Sequence, residues 1–216
     1  MKQWRVVIAS ALILWFPVIL LSTPFVSESM LQRLKLDYSD QAYRRGIALN
    51  KLLVHLEKKE IKTQLIEVNR FFNQFFYKAD HLHWGKKDYW ATPEEFIGTQ
   101  HGDCEDFVIA KYFVLRKLGV PDNRLYLTYV KALKQNVAHM VLSYFEKPSS
   151  TPLILDNYNP VILRADKRRN LLPIYSFNAN SLFLTNASAG LGRSLPTDKI
   201  KNSKWAKLLA DIRNEK

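Results

Sequence analysis

Over residues 40–77 apolar side chains recur at helical spacing, as Leu49, Leu52, Leu53 and Leu56 and then as Leu65, Val68, Phe71, Phe72 and Phe75. This spacing predicts two amphipathic helices, with Lys58-Lys59-Glu60 near the break between them. His55, on the first, reads as an ordinary helix histidine. The stretch 78–91 carries Trp84, Tyr89 and Trp90 and has no clear period. Thr92-Pro93-Glu94-Glu95 then starts a short helix ending near Gly98, with Thr92 as N-cap, Pro93 in the first turn and Glu95 closing a capping box. From 104 to 118 the pattern is helical again, with Val108, Leu115 and Leu118 on or near one stripe. Asp103 serves as its N-cap, and Gly119 followed by Pro121 stops it.

After Pro121 the period changes to two. Segments 124–130, 137–145 and 152–156 predict strands, with shorter ones around Val161, Ile174 and Leu182. Helices first and strands second indicate the α+β class with an antiparallel sheet. Near the C-terminus Trp205, Leu208, Leu209 and Ile212 form one face of a basic helix. Such a helix docks on the core in one reading, and on a membrane surface or a partner in the other.

The chain has 216 residues, enough for one well-buried core, so residues 30–216 are read as a single domain. With 47% hydrophobic and 12% aromatic residues it is not a disordered chain. Met1-Lys2-Gln3-Trp4-Arg5 and the apolar run 6–21 give residues 1–29 the charged and hydrophobic regions of an export signal. That run contains Pro17 and is short beside the roughly 20 residues a spanning helix needs. Ser27 and Ser29 offer cleavage positions, but no A-x-A pattern is present, which leaves an uncleaved N-terminal anchor open.

The net charge of +12 suits an anionic partner, such as an acidic protein or a membrane surface, or simply solubilises the chain. Nucleic acid is not expected, because export and the lack of a basic-aromatic recognition motif argue against it.

Cys104 is the only cysteine, so it forms no internal disulfide; in an oxidising compartment it is idle, intermolecular or catalytic. It lies in His101-Gly102-Asp103-Cys104-Glu105-Asp106, and acidic neighbours suppress a thiolate. Two features can offset them: the positive end of the helix that Cys104 opens, or a bound cation. Strand alternation puts His139 on the face shared by Val137 and Val141, and Asp156 ends the next strand. A loop at 146–149 would pair Phe145 with Ser150, and His139 with Asp156 at ~5 Å between Cβ atoms. Cys104, His139 and Asp156 then make a nucleophilic triad.

Gly102-Asp103-Cys104, the helix end Leu118-Gly119-Val120-Pro121, His139-Met140-Val141-Leu142 and Leu155-Asp156-Asn157 resemble the transglutaminase-like cysteine peptidase core, a papain-like fold. With Glu105-Asp106, Ala110-Lys111-Tyr112 and Tyr175-Ser176-Phe177-Asn178 added, the chain resembles the LapG family of bacterial periplasmic proteases over about residues 84–184. The resemblance implies catalytic Cys104, His139 and Asp156. It further implies a calcium-dependent periplasmic endopeptidase that cuts a large surface adhesin near its N-terminus and so releases cells from a biofilm. An inner-membrane receptor that senses cyclic di-GMP would sequester it. The implied calcium ligands are Asp103 and Glu105, with Asp106 a further addition.

Calcium also suits the chemistry, because hard oxygen ligands bind it and its charge offsets the acids around the thiol. Backbone carbonyls or waters must complete its roughly six to eight oxygens. No D-x-D-x-D-G loop is present, which excludes an EF-hand. His81, His83 and His101 lack the spacing with cysteine of a zinc motif. No small-molecule cofactor is implied. Trp84 and Trp90 are core residues in one reading; in the other one of them donates its indole N–H to an oxyanion, as a tryptophan does in related transglutaminases. Two other functions use the same fold: acyl transfer to amines through the same triad, and a non-catalytic binding module.

Overall fold

Serine hydroxyls start the first two helices among the described residues. Ser27 accepts the Met30 N–H at 3.1 Å to open α1 (Glu28–Arg33), and Ser39 accepts the Ala42 N–H at 3.1 Å to open α2 (Asp40–Leu56). Each satisfies a donor that a helix N-terminus leaves unpaired. A π-helical stretch, Leu34–Tyr38, joins the two. The computed structural model describes residues 25–186, 190–195 and 204–215, so the apolar leader run 6–21 lies outside the described residues. Val26 is buried and exchanges bonds of 3.1 and 2.7 Å with the Asn50 side chain, which seats the segment bearing Ser27 and Ser29 against α2.

α3 (Ile61–Phe72) follows the break at Lys58-Lys59-Glu60, as the apolar spacing predicted. Then come β1 (Phe76–Tyr77) and the single turn α4 (Asp80–His83), an element the aperiodic stretch 78–91 did not signal. The capping box of Thr92 and Glu95 opens α5 (Pro93–Thr99). β2 (His101–Gly102) pairs in parallel with β1 and delivers the chain to α6 (Cys104–Lys117). Gly119, at φ 89°, turns the chain out of α6 in a conformation that costs glycine little.

The rest of the fold is chiefly one antiparallel sheet: β3 (Leu125–Ala132), β4 (Val137–Tyr144), β5 (Leu153–Leu155), β6 (Leu163–Arg164), β7 (Leu171–Phe177), β8 (Leu182–Asn186) and β9 (Gly190–Leu195). The strand order is β6-β5-β4-β3-β7-β8-β9. The α+β reading with helices before an antiparallel sheet therefore holds. α6 is buried on nearly every side, through Phe107, Val108, Ile109, Ala110, Tyr112, Val114 and Leu115, because it lies between α3 and α5 on one side and β3 and β4 on the other. Rings of Phe72, Phe75, Phe96 and Phe107 lock α3, α5 and α6 together at centroid distances of 4.9–6.1 Å. The last helix, α7 (Lys204–Asn214), docks on this core through Trp205, whose ring meets those of Phe113, Tyr112 and Phe177.

Two strand expectations are corrected. Val161 sits exposed in a loop, and the strand begins at Leu163. The register of β4 on β5 runs through Leu142 opposite Leu155 and Tyr144 opposite Leu153, so Phe145 does not pair with Ser150. Ser150 instead closes its own turn on the Lys147 carbonyl, while Phe145 is buried against Tyr126 with its N–H on the Arg124 carbonyl. The shift is two residues, which keeps every side chain on its expected face.

Candidate active site

Cys104 is the first residue of α6, and the acids around it have different tasks. Asp106 is fully buried and holds the helix start in place: its Oδ2 accepts the Asp103 N–H at 3.1 Å and its Oδ1 the Ala91 N–H at 2.8 Å. Gly102 is required beside it, because a Cβ there would lie 2.4 Å from Asp106 Oδ2. Glu105 Oε2 accepts the Cys104 thiol at 2.7 Å. Burial, then the charge and hydrogen bond of Glu105, then Asp103, push the thiol well above its ordinary value; a bond from the Met140 N–H opposes them.

Met140 follows His139 on β4. His139 is buried, and its Nε2 lies 2.8 Å from Asp156 Oδ1. Asp156, one residue past the end of β5, also accepts the Tyr158 N–H at 2.9 Å and is paired through Oδ2 with buried Arg168 at 2.5 Å. Burial acts to raise its carboxyl, but the bonds and charge of His139, the bond of Arg168 and that of Tyr158 hold it below the usual range. An ionised Asp156 only accepts, so Nε2 carries a proton, and in the neutral imidazole the lone pair is then on Nδ1. That Nδ1 is buried and has no hydrogen-bond partner among the described residues. The ring of Tyr158 covers the imidazole face to face, at 4.0 Å and 9°.

Beneath this pair lies a polar connection that sequence reasoning did not find. Lys111, fully buried on α6, donates through Nζ to Asn73 Oδ1 at 2.7 Å, and Asn73 Nδ2 donates to the backbone carbonyl of Asp156 at 2.8 Å. Burial lowers the Lys111 ammonium to about 7, against the opposing charge of Asp156.

The carboxylates gather in a second group. Acceptor atoms of Asp80, Asp103 and Asp106 lie within 4.8 Å of one another, and so do ligand atoms of Asp103, Cys104 and Glu105. Asp80 Oδ1 and Asp103 Oδ1 are buried and have no hydrogen-bond partner among the described residues. Burial, then the charges of Glu105 and Asp106, push the Asp103 carboxyl up to about 10. Orphaned hard oxygens that repel one another fit a calcium ion, which would supply the missing positive charge. Of the acids marked in the sequence, Asp103 has an oxygen without a partner among the described residues, Glu105 accepts the Cys104 thiol through Oε2, and each oxygen of Asp106 accepts one backbone N–H and keeps a second lone pair. Asp80 is an addition that no sequence motif marked. Among the described residues His81, His83 and His101 form no three-ligand group. Trp90 is a core residue, stacked on Phe177 at 6.0 Å.

A family model described as bacterial transglutaminase-like cysteine proteinase matches residues 44–170, which include Cys104, His139 and Asp156. Three solved structures of Legionella pneumophila LapG share the fold. The calcium-bound form is 43% identical, with a TM-score of 0.72, covering 84% of this chain and 97% of that one. Another LapG structure and an EGTA-treated form are each 42% identical, with a TM-score of 0.73, covering 88% of this chain and 99% of theirs. No curated protein sequence matches the chain.

Proposed function

The chain belongs to the bacterial transglutaminase-like cysteine proteinase family, and from that premise we propose that it is a calcium-dependent periplasmic endopeptidase working through Cys104, His139 and Asp156. The observation that carries the assignment is the buried His139–Asp156 bond, which leaves Nδ1 without a partner among the described residues on β4, the strand packed against the helix that Cys104 opens.

In this reading Nδ1 takes the Sγ proton, and the sulfur attacks the scissile carbonyl carbon while the C=O electron pair moves onto oxygen. Unpaired N–H groups at the start of α6 are the donors available to that oxyanion. Collapse re-forms the carbonyl and breaks the C–N bond, and the leaving amine takes the proton from Nδ1. A water deprotonated by Nδ1 then hydrolyses the thioester and restores the thiol. Asp156 stays ionised throughout and holds Nε2–H, which fixes the tautomer. Asp103 and Glu105, with Asp80 beside them, would hold calcium, whose charge would offset the carboxylates that retain the thiol proton.

The proposed substrate is the N-terminal region of a large surface adhesin, whose cleavage releases cells from a biofilm. The proposed restraint is an inner-membrane receptor that senses cyclic di-GMP and sequesters the protease. Both are what the resemblance of the sequence motifs to the LapG family implies, and the basic charge of the chain fits an acidic partner. The test incubates the purified protein with an N-terminal fragment of a repeat-rich adhesin from the same genome, with calcium. Cleavage by the native chain and none by Cys104→Ala or His139→Ala is expected; cleavage by a folded Cys104→Ala variant would end the assignment.

A further inference from the structure

We infer that Lys111 and Asn73 form a positioning relay that fastens the backbone of Asp156 to the same helix that carries Cys104. The relay rests on the triad reading above and extends it by two residues, neither of which touches the reacting atoms.

Lys111 follows Cys104 by two turns of α6, so the two side chains leave the same face of one rigid element. Asn73 caps the C-terminus of α3, and Asp156 lies just beyond the last ladder pair of β4 with β5. The carbonyl of Asp156 therefore leaves the sheet, and Asn73 Nδ2 is what receives it. One turn earlier on α3, buried Asn69 does the same for the carbonyl of Pro160, at 3.0 Å. The helix thus holds the segment after β5 at two points, and among the described residues the point at Asp156 is the one tied onward to α6.

The chemistry of the link gives it direction. An amide side chain can present either its oxygen or its nitrogen, and packing alone does not choose between them. A lysine ammonium only donates, so Lys111 obliges Asn73 to turn Oδ1 toward α6 and Nδ2 toward Asp156. A methionine of similar length would fill the space beside Phe107 without the cost of burying a charge. The ammonium sets an orientation that packing would not, and the orientation ends on the residue whose Oδ1 holds His139. Nucleophile and base are carried by different elements, α6 and β4, and this chain of two hydrogen bonds ties α6 to Asp156, the residue that holds the base.

The experiment follows alkylation of Cys104, the only thiol in the chain, by iodoacetamide across the pH range in calcium-containing buffer, with His139→Ala as reference. Lys111→Met and Asn73→Asp are expected each to lower the neutral-pH rate by roughly tenfold to hundredfold, the scale of a misplaced catalytic group, with the native circular dichroism retained. Asn73→Asp keeps an acceptor for Lys111 and replaces the donor to Asp156 by a second, charged acceptor, so it reads the link even if Lys111→Met fails to fold. Joined through one relay, the two changes together should cost no more than either alone. A native pH profile in folded Asn73→Asp, with His139→Ala altered, would overturn the relay alone. A native profile in His139→Ala as well would overturn the triad reading from which it starts.

Discussion

The thiol of Cys104 donates to Glu105 Oε2 at 2.7 Å, so the proton of the proposed nucleophile is held by its own sequence neighbour. A hydrogen bond from the neutral thiol, together with a nearby negative charge, favours the protonated form. Reactivity then depends on drawing the Glu105 carboxylate away.

Calcium is expected to do this, and two rates of iodoacetamide alkylation at neutral pH check it. The native protein should react roughly tenfold or more faster with calcium than with EGTA, since each unit of thiol pKa near neutrality changes the thiolate fraction about tenfold. Glu105→Ala should react faster than the native chain in EGTA, because the acceptor is gone, and should gain little from calcium. Equal native rates with calcium and EGTA would sever the link between the cation and the thiol.

The acid cluster also predicts a pH dependence of stability in the absence of calcium. Asp103 is raised to about 10 in the folded protein by burial and by Glu105 and Asp106, against an unfolded value of about 3.9. Between these limits the folded state binds more protons than the unfolded one, so stability falls as pH rises through the window. Thermal midpoints in EGTA should drop from about pH 5 to about pH 8, and calcium should largely remove the drop. A midpoint in EGTA that rises over this interval would contradict the burial of unpaired carboxylates at this site.

How much of this was legible in the sequence depended on the range of the interactions. The break between α2 and α3, the Thr92–Glu95 capping box and the Cys104 helix start are local, fixed by spacing and by neighbouring side chains. His139 and Asp156 were paired from strand alternation, and that survived an incorrect register because a two-residue shift preserves the face. Asp80, Asn73 and Arg168 reach the site only through the tertiary fold, so no pattern pointed to them. Lys111 did leave a signal: a lysine amid Val108-Ile109-Ala110 and Tyr112 has no solvent-facing stripe to occupy.

Arg168 holds the second oxygen of Asp156 in a pair whose side chains are 2% and 0% exposed. Removing one partner strands the other charge, so Arg168→Met should cost about 3–5 kcal/mol of stability in urea unfolding near neutral pH. It should also raise the Asp156 carboxyl, which loses one of the bonds that hold it down. A cost within about 0.5 kcal/mol, as for an ordinary surface change, would show that His139 and the Tyr158 N–H suffice to hold the carboxylate.

Lys111 offers the clearest separation of function from stability. Its folded value of about 7 lies below the ordinary lysine value of about 10.4, so between them the unfolded state binds more protons and stability rises with pH. The penalty for burying the ammonium is fully present below about pH 7 and fades toward pH 10. Lys111→Met removes it, and should therefore melt about 2–4 °C or more above the native protein near pH 6, the shift that roughly 1 kcal/mol makes in a chain of this size. The advantage should shrink near pH 10. A residue kept for packing would behave in the opposite way, its loss lowering the midpoint at both pH values. A variant that is more stable yet slower to alkylate at Cys104 would show that this chain carries a buried charge at a cost to its fold, to keep Asp156 in line with the helix of its nucleophile.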